Sequence, residues 1–210
     1  MSDLEKLCKD LTTNYINLLQ GRFISHIIGF IGSILVIRIL EPTDYGILSI
    51  AMSLPYTVSI FGNFVVNAAV TRFVAKYKET DLTKAYSIIT SGIIFDITYG
   101  VLLSIIGYLL TPFLFTLYIY NKPQIIPYAE FASLFTIPYW ASSSIFSGIL
   151  GLELTKHNSE MWILHYTTQT IFSVSLALTY LKVYGVIIGY MIGYMSIVIY
   201  GILILMKNLF

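Results

Sequence analysis

The sequence predicts an all-α fold, a polytopic bundle of six transmembrane helices preceded by a short amphipathic N-terminal helix. Three observations lead to this prediction. Only 11% of the 210 residues are charged and 57% are hydrophobic, whereas soluble domains average about 25% charged residues. The mean hydropathy is +0.79. The apolar residues form continuous runs, which indicate helices of about 20 residues that cross a bilayer rather than strands with alternating side chains.

The composition also excludes several classes of protein and of site. The net charge is +1 and Cys8 is the single cysteine, so neither a nucleic-acid-binding domain nor a disulfide scaffold fits. The sequence has no Walker phosphate loop, no nucleophile elbow and no cluster of histidine, cysteine and carboxylate residues at metal-ligand spacing. We therefore expect no enzyme activity, no metal site, no cofactor and no nucleic-acid partner.

Six apolar stretches are long enough to cross the hydrocarbon core of a bilayer. They are residues 23–40, 45–70, 85–120, 126–152, 161–181 and 183–206. We expect residues 23–206 to form one transmembrane lobe and residues 207–210 to form a cytoplasmic tail.

Residues 1–22 are too polar for a signal peptide. Their apolar side chains recur at helical spacing, at Leu4, Leu7, Leu11, Tyr15 and Leu18. This spacing predicts a cytoplasmic amphipathic helix on the membrane surface. A short solvated helix that packs on the bundle fits the same pattern.

The lysines and arginines between the spans predict the orientation of the chain, because cytoplasmic loops carry an excess of them. Nine fall on the side that holds both termini, and three, Arg38, Lys122 and Lys182, fall on the other side. We therefore expect a multi-pass protein of the plasma membrane with both termini in the cytoplasm.

Asp96 is the acidic residue that the sequence places nearest the membrane midplane. A charge there costs on the order of 2.5–3.5 kcal/mol on insertion scales, so such a residue is a functional candidate. Gly92, Tyr99, Gly100 and Gly107 lie on the same helical face. Two interpretations stay open: an acid that lines a cavity and takes a proton, a cation or a sugar hydroxyl, or a structural hydrogen bond to a neighbouring helix.

Other polar residues form weaker stripes along the predicted spans. Each is a candidate for the substrate or ion pathway, although a lone polar residue more often bonds a neighbouring helix. The candidates are Arg22 and His26 in the first span, Asn63 and Asn67 in the second, and His165 and Gln169 in the fifth. In the sixth span Gly185, Gly189 and Gly193 recur every four residues and predict a close-packing face, within the bundle or against a second bundle.

The turn between the first two spans carries a resemblance to a known family. It contains Arg38, Pro42, Asp44 and Gly46, and it resembles the Arg-x-Leu-Gly/Glu-Pro-x-Asp/Glu-Tyr/Phe-Gly turn of polysaccharide biosynthesis membrane proteins. We expect Pro42 to end the first helix, Asp44 to cap the second and Gly46 to permit close approach.

A second segment, residues 67–77 around Arg72, resembles the end of the second helix in the same family. These proteins are the O-antigen-type flippases of lipid-linked oligosaccharides, in the multidrug/oligosaccharidyl-lipid/polysaccharide exporter superfamily. We expect Arg38, Asp44 and Arg72 to set helix ends and loop geometry.

The resemblance implies one lobe of a MATE-like flippase fold. Members usually have two six-helix lobes with the substrate cavity between them, and this chain matches the first lobe. The implied activity is transport of lipid-linked oligosaccharide or polysaccharide precursors by alternating access. The implied partners are the bilayer, the lipid-linked glycan and a second six-helix lobe, supplied by a homodimer or by a separate chain.

Two roles are our own hypotheses within this resemblance. Arg22 is expected to face the substrate phosphate, and Asp96 is expected to bind the coupling proton or cation. The alternatives are a multidrug or toxin exporter-like half transporter, a non-transporting accessory subunit and a truncated remnant.

Overall fold

The computed structural model describes residues 3–60, 66–114 and 122–209, and these residues are helical with short turns. A 3-10 turn, Pro123–Ile125, precedes one of the helices. The helices are α1 (Asp3–Ile39), α2 (Pro42–Ile60), α3 (Val66–Tyr77), α4 (Leu82–Phe113), α5 (Ile126–Ser133), α6 (Thr136–Gly151), α7 (Thr155–Ala177) and α8 (Lys182–Leu209). The all-α prediction is confirmed, since the described residues include no strand.

Three described helical segments are long and apolar enough to cross a membrane: Leu18–Ile39, Leu82–Phe113 and Lys182–Asn208. They correspond to the first, third and sixth predicted spans. The second predicted span corresponds to α2 and α3, the fourth is divided into α5 and α6, and the fifth lies in α7, whose first turns are polar. The count of six crossings therefore stays a prediction.

Among the described residues no break separates the predicted N-terminal helix from the first predicted span, and the predicted domain bounds stay a prediction. Both belong to one continuous helix, Asp3–Ile39. At 1.5 Å per residue this helix is about 55 Å long, and a bilayer core is about 30 Å thick. One end of α1 therefore extends beyond the apolar core in line with the span. The side chains of Leu4, Leu7, Leu11 and Tyr15 lie outside the described residues.

Helix α7 lies between α1 and α8, and glycines line both contacts. On one side, a Cβ added to Gly29 would lie 2.5 Å from the Tyr166 ring. On the other side, a Cβ added to Gly189 would lie 2.4 Å from the backbone nitrogen of Ser173. Gly185 and Gly193 likewise face Leu176 and Gln169 of α7. The predicted close-packing face is thus used within this bundle.

The turn between α1 and α2 corrects two details of the prediction. Pro42 begins α2, as its missing N–H allows. Asp44 does not cap the helix. It lies inside the first turn, and its Oδ2 is 3.2 Å from Nζ of Lys182. Gly46 permits no close approach among the described residues, since a Cβ there would meet nothing within 4 Å.

The outer surfaces of α1, α4 and α8 are apolar. Phe23, Leu109 and Leu203 expose 69%, 67% and 59% of their surface. A contiguous apolar exterior of this kind marks contact with a membrane rather than with water. Contact with the membrane therefore accounts for the apolar surface, but it does not account for polar residues that line a cavity in the bundle.

Candidate functional site

A cavity of about 340 Å³ has a mixed polar and apolar lining. Its walls and floor come from five helices: α1, α3, α6, α7 and α8. The lining residues are Arg22, Asn67, Tyr139, Ser142, Ser143, Phe146, Ser147, Leu150, Asn158, Trp162 and Tyr194. Two of the predicted pathway residues, Arg22 and Asn67, therefore meet in one cavity.

Helix α6 makes the floor polar because its serines share a helical face. Ser143 and Ser147 are four residues apart and both line the cavity. Nδ2 of Asn67 donates to Oγ of Ser143 at 2.6 Å, and Oγ1 of Thr71 donates to the Ser147 carbonyl at 3.1 Å. These two bonds fix α3 against α6 and leave the serine face as a polar floor.

Arg22 is the cation of this cavity. Its guanidinium carbon lies 5.9 Å from the Trp162 ring centroid, and Trp162 stacks on Phe146 with centroids 4.7 Å apart. No carboxylate is among the described lining residues. An exposed arginine beside an aromatic face, with no carboxylate among the described lining residues, is suited to bind an anion such as a phosphate.

The predicted residues of the fifth span do not line this cavity. His165 is 1% exposed and lies behind the wall, with its ring 4.2 Å from that of Tyr194 and 6.2 Å from that of Trp162. Gln169 lines a separate space of about 30 Å³ between α1 and α7, together with Thr170. That space has room for about one water molecule.

Asp96 lies on the opposite side of α6 from the cavity. Its side chain is fully buried, and its Oδ2 accepts a hydrogen bond from the backbone N–H of Ser144 at 2.8 Å. This is the interhelical hydrogen bond that the sequence left open as one of two interpretations. A role for Asp96 in an ion pathway stays a prediction.

The remaining predicted residues lie outside the cavity or outside the described chain. His26 is exposed on α1, with its ring 5.6 Å from that of Tyr166. Arg72 is exposed on α3, and Arg38 is exposed in the last turn of α1. Asn63 falls outside the described residues.

Sequence reasoning missed most of the cavity lining. Ser142, Ser143 and Ser147 are a polar cluster within an apolar run, and this cluster was the available signal. Asn158 and Trp162 recur at four-residue spacing on α7, but α7 carries many other polar residues. Their common face could not be assigned without knowing which helix lies opposite.

The chain is similar in sequence to a known family and to a curated membrane protein. Residues 11–210 match the family described as polysaccharide biosynthesis protein. Over 207 residues the chain is 29% identical to an uncharacterized membrane protein of Methanocaldococcus jannaschii, an alignment that covers 97% of this chain and 46% of that protein. The chain therefore spans about half the length of this curated relative. No solved structure matches the chain.

The family match covers nearly the whole chain, and it includes both segments that carry the resemblance. Three helices are also long and apolar enough to span a bilayer. This chain therefore is a membrane protein and belongs to the polysaccharide biosynthesis protein family.

Proposed function

We propose that this chain is one lobe of a flippase that moves lipid-linked oligosaccharide or polysaccharide precursors across the plasma membrane by alternating access. The observation that carries the proposal is the polar cavity around Arg22 in a bundle with an apolar exterior. Arg22 and the α6 serines gather around one cavity while the outer surfaces of α1, α4 and α8 are apolar, which is the arrangement that a pathway for a polar substrate requires. On this proposal the chain is a transporter and not an enzyme.

The lining matches the chemistry of a glycan attached to a phosphate. Arg22 can donate two parallel hydrogen bonds to phosphate oxygens. Serine hydroxyls and the Asn158 amide can bond sugar hydroxyls, and Trp162 offers an apolar face to a sugar ring. The lipid chain of such a substrate would stay in the bilayer.

Ion pairs at both ends of the bundle support the proposed path of six crossings. Lys182 pairs with Glu41 and Asp44, so the α1–α2 and α7–α8 turns lie together at one end of the bundle. Lys78 pairs with Glu153, which brings together the α3–α4 and α6–α7 turns. Alternating ends of this kind are what a chain crossing back and forth requires. We propose that the Lys182 end faces outward and that both termini are cytoplasmic.

We also propose that the cavity is completed by a second six-helix lobe, in a homodimer or in a separate chain. The cavity is open on one side, and polar walls cannot face lipid tails. Native mass spectrometry after mild extraction tests this. A dimer or a one-to-one complex with another six-helix chain is expected. A stable monomer would mean that the chain descends from flippases but does not itself transport.

Flipping in reconstituted vesicles tests the function itself. We expect Arg22→Gln to lower the flipping rate of a fluorescent polyprenyl diphosphate glycan by about tenfold or more, since a hydrogen bond to a charged group contributes about 1.5–3 kcal/mol. Arg38→Gln is the matched control, because Arg38 is exposed in the last turn of α1 and does not line the cavity. Equal rates for Arg22→Gln and the unmodified protein would refute the assignment of Arg22. Equal transport of cationic drugs would favour the multidrug-exporter alternative.

A further inference from the structure

An apolar groove of about 220 Å³ runs between α4 and α8, and it shares no lining residue with the cavity around Arg22. The lining residues are Tyr86, Ile89, Thr90 and Ile93 of α4 and Ile202, Leu205 and Met206 of α8. The hydroxyl of Thr90 donates to the Tyr86 carbonyl at 3.0 Å, so it is satisfied within its own helix. The groove therefore presents an apolar surface, and it lies between two helices that are long and apolar enough to span a bilayer.

The groove exists because α4 and α8 both pack on α6 but, in the described part of the chain, do not pack along each other. Small residues bring both helices close to α6. A Cβ added to Gly148 of α6 would lie 2.7 Å from the Ile89 side chain, and one added to Gly201 of α8 would overlap Ile145 of α6. The space between the two helices is left open above α6.

The groove has a buried floor and exposed rims. Ile89 and Leu205 are 1% and 8% exposed, whereas Ile202 and Met206 are 40% and 55% exposed. An empty depression would cost its lining the dispersion contacts on one side, so a flexible apolar chain is the natural occupant. Lipid tails are as apolar as leucine, however, so the groove by itself does not select one lipid over another.

The two helices run in opposite directions along α6. Gly100 of α4 faces the first residues of α6, and Ile89 faces its last turn. Tyr194 of α8 contacts the ring that precedes α6, and Gly201 faces the middle of α6. The start of α4 and the end of α8 therefore lie at the same end of the groove.

That end of the groove carries two lysines. Lys84 lies two residues before Tyr86, and Lys207 directly follows Met206. Both lysines are exposed, and neither forms an ion pair with a described residue. Nζ of Lys84 lies 4.1 Å from the Tyr77 ring centroid. Such a contact is weak at an exposed site, so the ammonium stays available to an anion.

The acidic residues nearest to Lys84 in the sequence are engaged elsewhere. Oδ1 of Asp81 accepts a hydrogen bond from the backbone N–H of Lys84 at 2.9 Å and so caps α4. Oε1 of Glu79 lies 3.9 Å from Nζ of Lys78. The lysine ammonium groups at the end of the groove are thus not neutralised by these carboxylates.

We propose that the α4–α8 groove and its two lysines form a binding site for an anionic phospholipid. One hydrocarbon chain lies in the groove, and the phosphate lies at Lys84 and Lys207. Basic residues beside membrane helices attract anionic headgroups, so the headgroup charge selects the lipid while the groove fixes the position of its chain. The proposal goes beyond the transport function and does not rest on it.

Native mass spectrometry tests the site, because it reports bound lipids and subunit number together. The full chain is released from nanodiscs that contain equal parts of phosphatidylglycerol and phosphatidylcholine. We expect the chain to retain phosphatidylglycerol in preference to phosphatidylcholine. Lys84→Gln with Lys207→Gln should lower this preference by about tenfold or more, since each lysine near the membrane surface contributes to the attraction.

Two matched controls accompany the variants. Lys122→Gln with Lys156→Gln removes the same charge from exposed positions that do not line the groove, and it should leave the preference unchanged. Ile202→Trp places a large ring on the rim of the groove and should abolish the retention of phosphatidylglycerol. Leu203→Trp adds the same ring at an exposed neighbouring position outside the lining, and it should leave retention unchanged.

Four results would overturn the proposal. They are full retention of phosphatidylglycerol by Ile202→Trp protein, equal loss from Leu203→Trp protein, and equal retention by the two lysine double variants. The fourth is a changed subunit number with unchanged lipid retention in Ile202→Trp protein, which would assign the groove to contact with a second copy of the chain. The lysine variants alter exposed side chains alone, so they decide the question if Ile202→Trp does not fold.

Discussion

The two sides of α6 carry similar polar residues and do different things. On one side Ser143 and Ser147 form the floor of the cavity, below Asn67 and Arg22. On the other side the Ser144 N–H donates to Asp96 of α4, and both residues are fully buried between α6 and α4. The difference teaches that a polar residue in a helix lines a cavity only where the facing helix does not pack closely against it.

Small residues decide which side is closed. A Cβ added to Gly92 would lie 2.7 Å from Oγ of Ser144, and one added to Gly100 would lie 3.0 Å from the Thr136 carbonyl oxygen. These glycines let α4 approach α6 closely enough for Asp96 to reach the Ser144 N–H. On the cavity side, the bulky Trp162 and Tyr194 of α7 and α8 stand opposite the serines.

The largest expected effect is at the closed side. Gly92→Leu should destabilise the protein by about 1–3 kcal/mol or more, because overpacking forces backbone shifts. Thermal unfolding in detergent measures this loss. Gly46→Leu is the matched control, since a Cβ at Gly46 meets nothing described within 4 Å, and it should be close to neutral. Equal losses in the two variants would contradict the close α4–α6 contact.

A smaller effect is expected when the acid of the closed side is changed. Asp96→Ala removes the acceptor of the Ser144 N–H and should cost about 1–3 kcal/mol. Asp96→Asn keeps a side-chain oxygen and should cost less. Unfolding of the two variants under one condition gives the comparison. If both variants fold normally but lose flipping activity, Asp96 belongs to the ion pathway. The contrast between the two sides of α6 would then fail.

The smallest stability effect is expected on the cavity side. Ser143→Ala removes the partner of Asn67 and should cost about 0.5–1.5 kcal/mol, the net contribution of an ordinary hydrogen bond. Its flipping rate should nevertheless fall, because the serine faces the cavity. The matched change, Ser142→Ala at a neighbouring lining position, should leave the α3–α6 contact intact. A Ser143→Ala protein with unchanged flipping would mean that Ser143 serves packing alone.

Particular residues show how far sequence reasoning reached. The glycine repeat at Gly185, Gly189 and Gly193 predicted close packing correctly, because a four-residue period fixes one helical face. Pro42 was predicted to end the first helix, but it is the first residue of the second, a position that suits a residue without an N–H. Asp44 was misassigned as a cap. Its true partner, Lys182, lies in a turn far along the chain, and local capping rules cannot identify such a partner.

The sequence by itself determined that this is an all-helical membrane protein, because hydropathy and helical period are local properties of the chain. The segments 38–46 and 67–77 carried the resemblance to its family. The sequence also supplied Arg22, Asn67 and Asp96 as polar residues that a membrane span must accommodate. Only the tertiary structure decided that Arg22 and Asn67 share a cavity while Asp96 is sealed behind α6. Which face of a helix is open depends on how closely its neighbour can approach, and that distance is set by side chains from distant parts of the sequence.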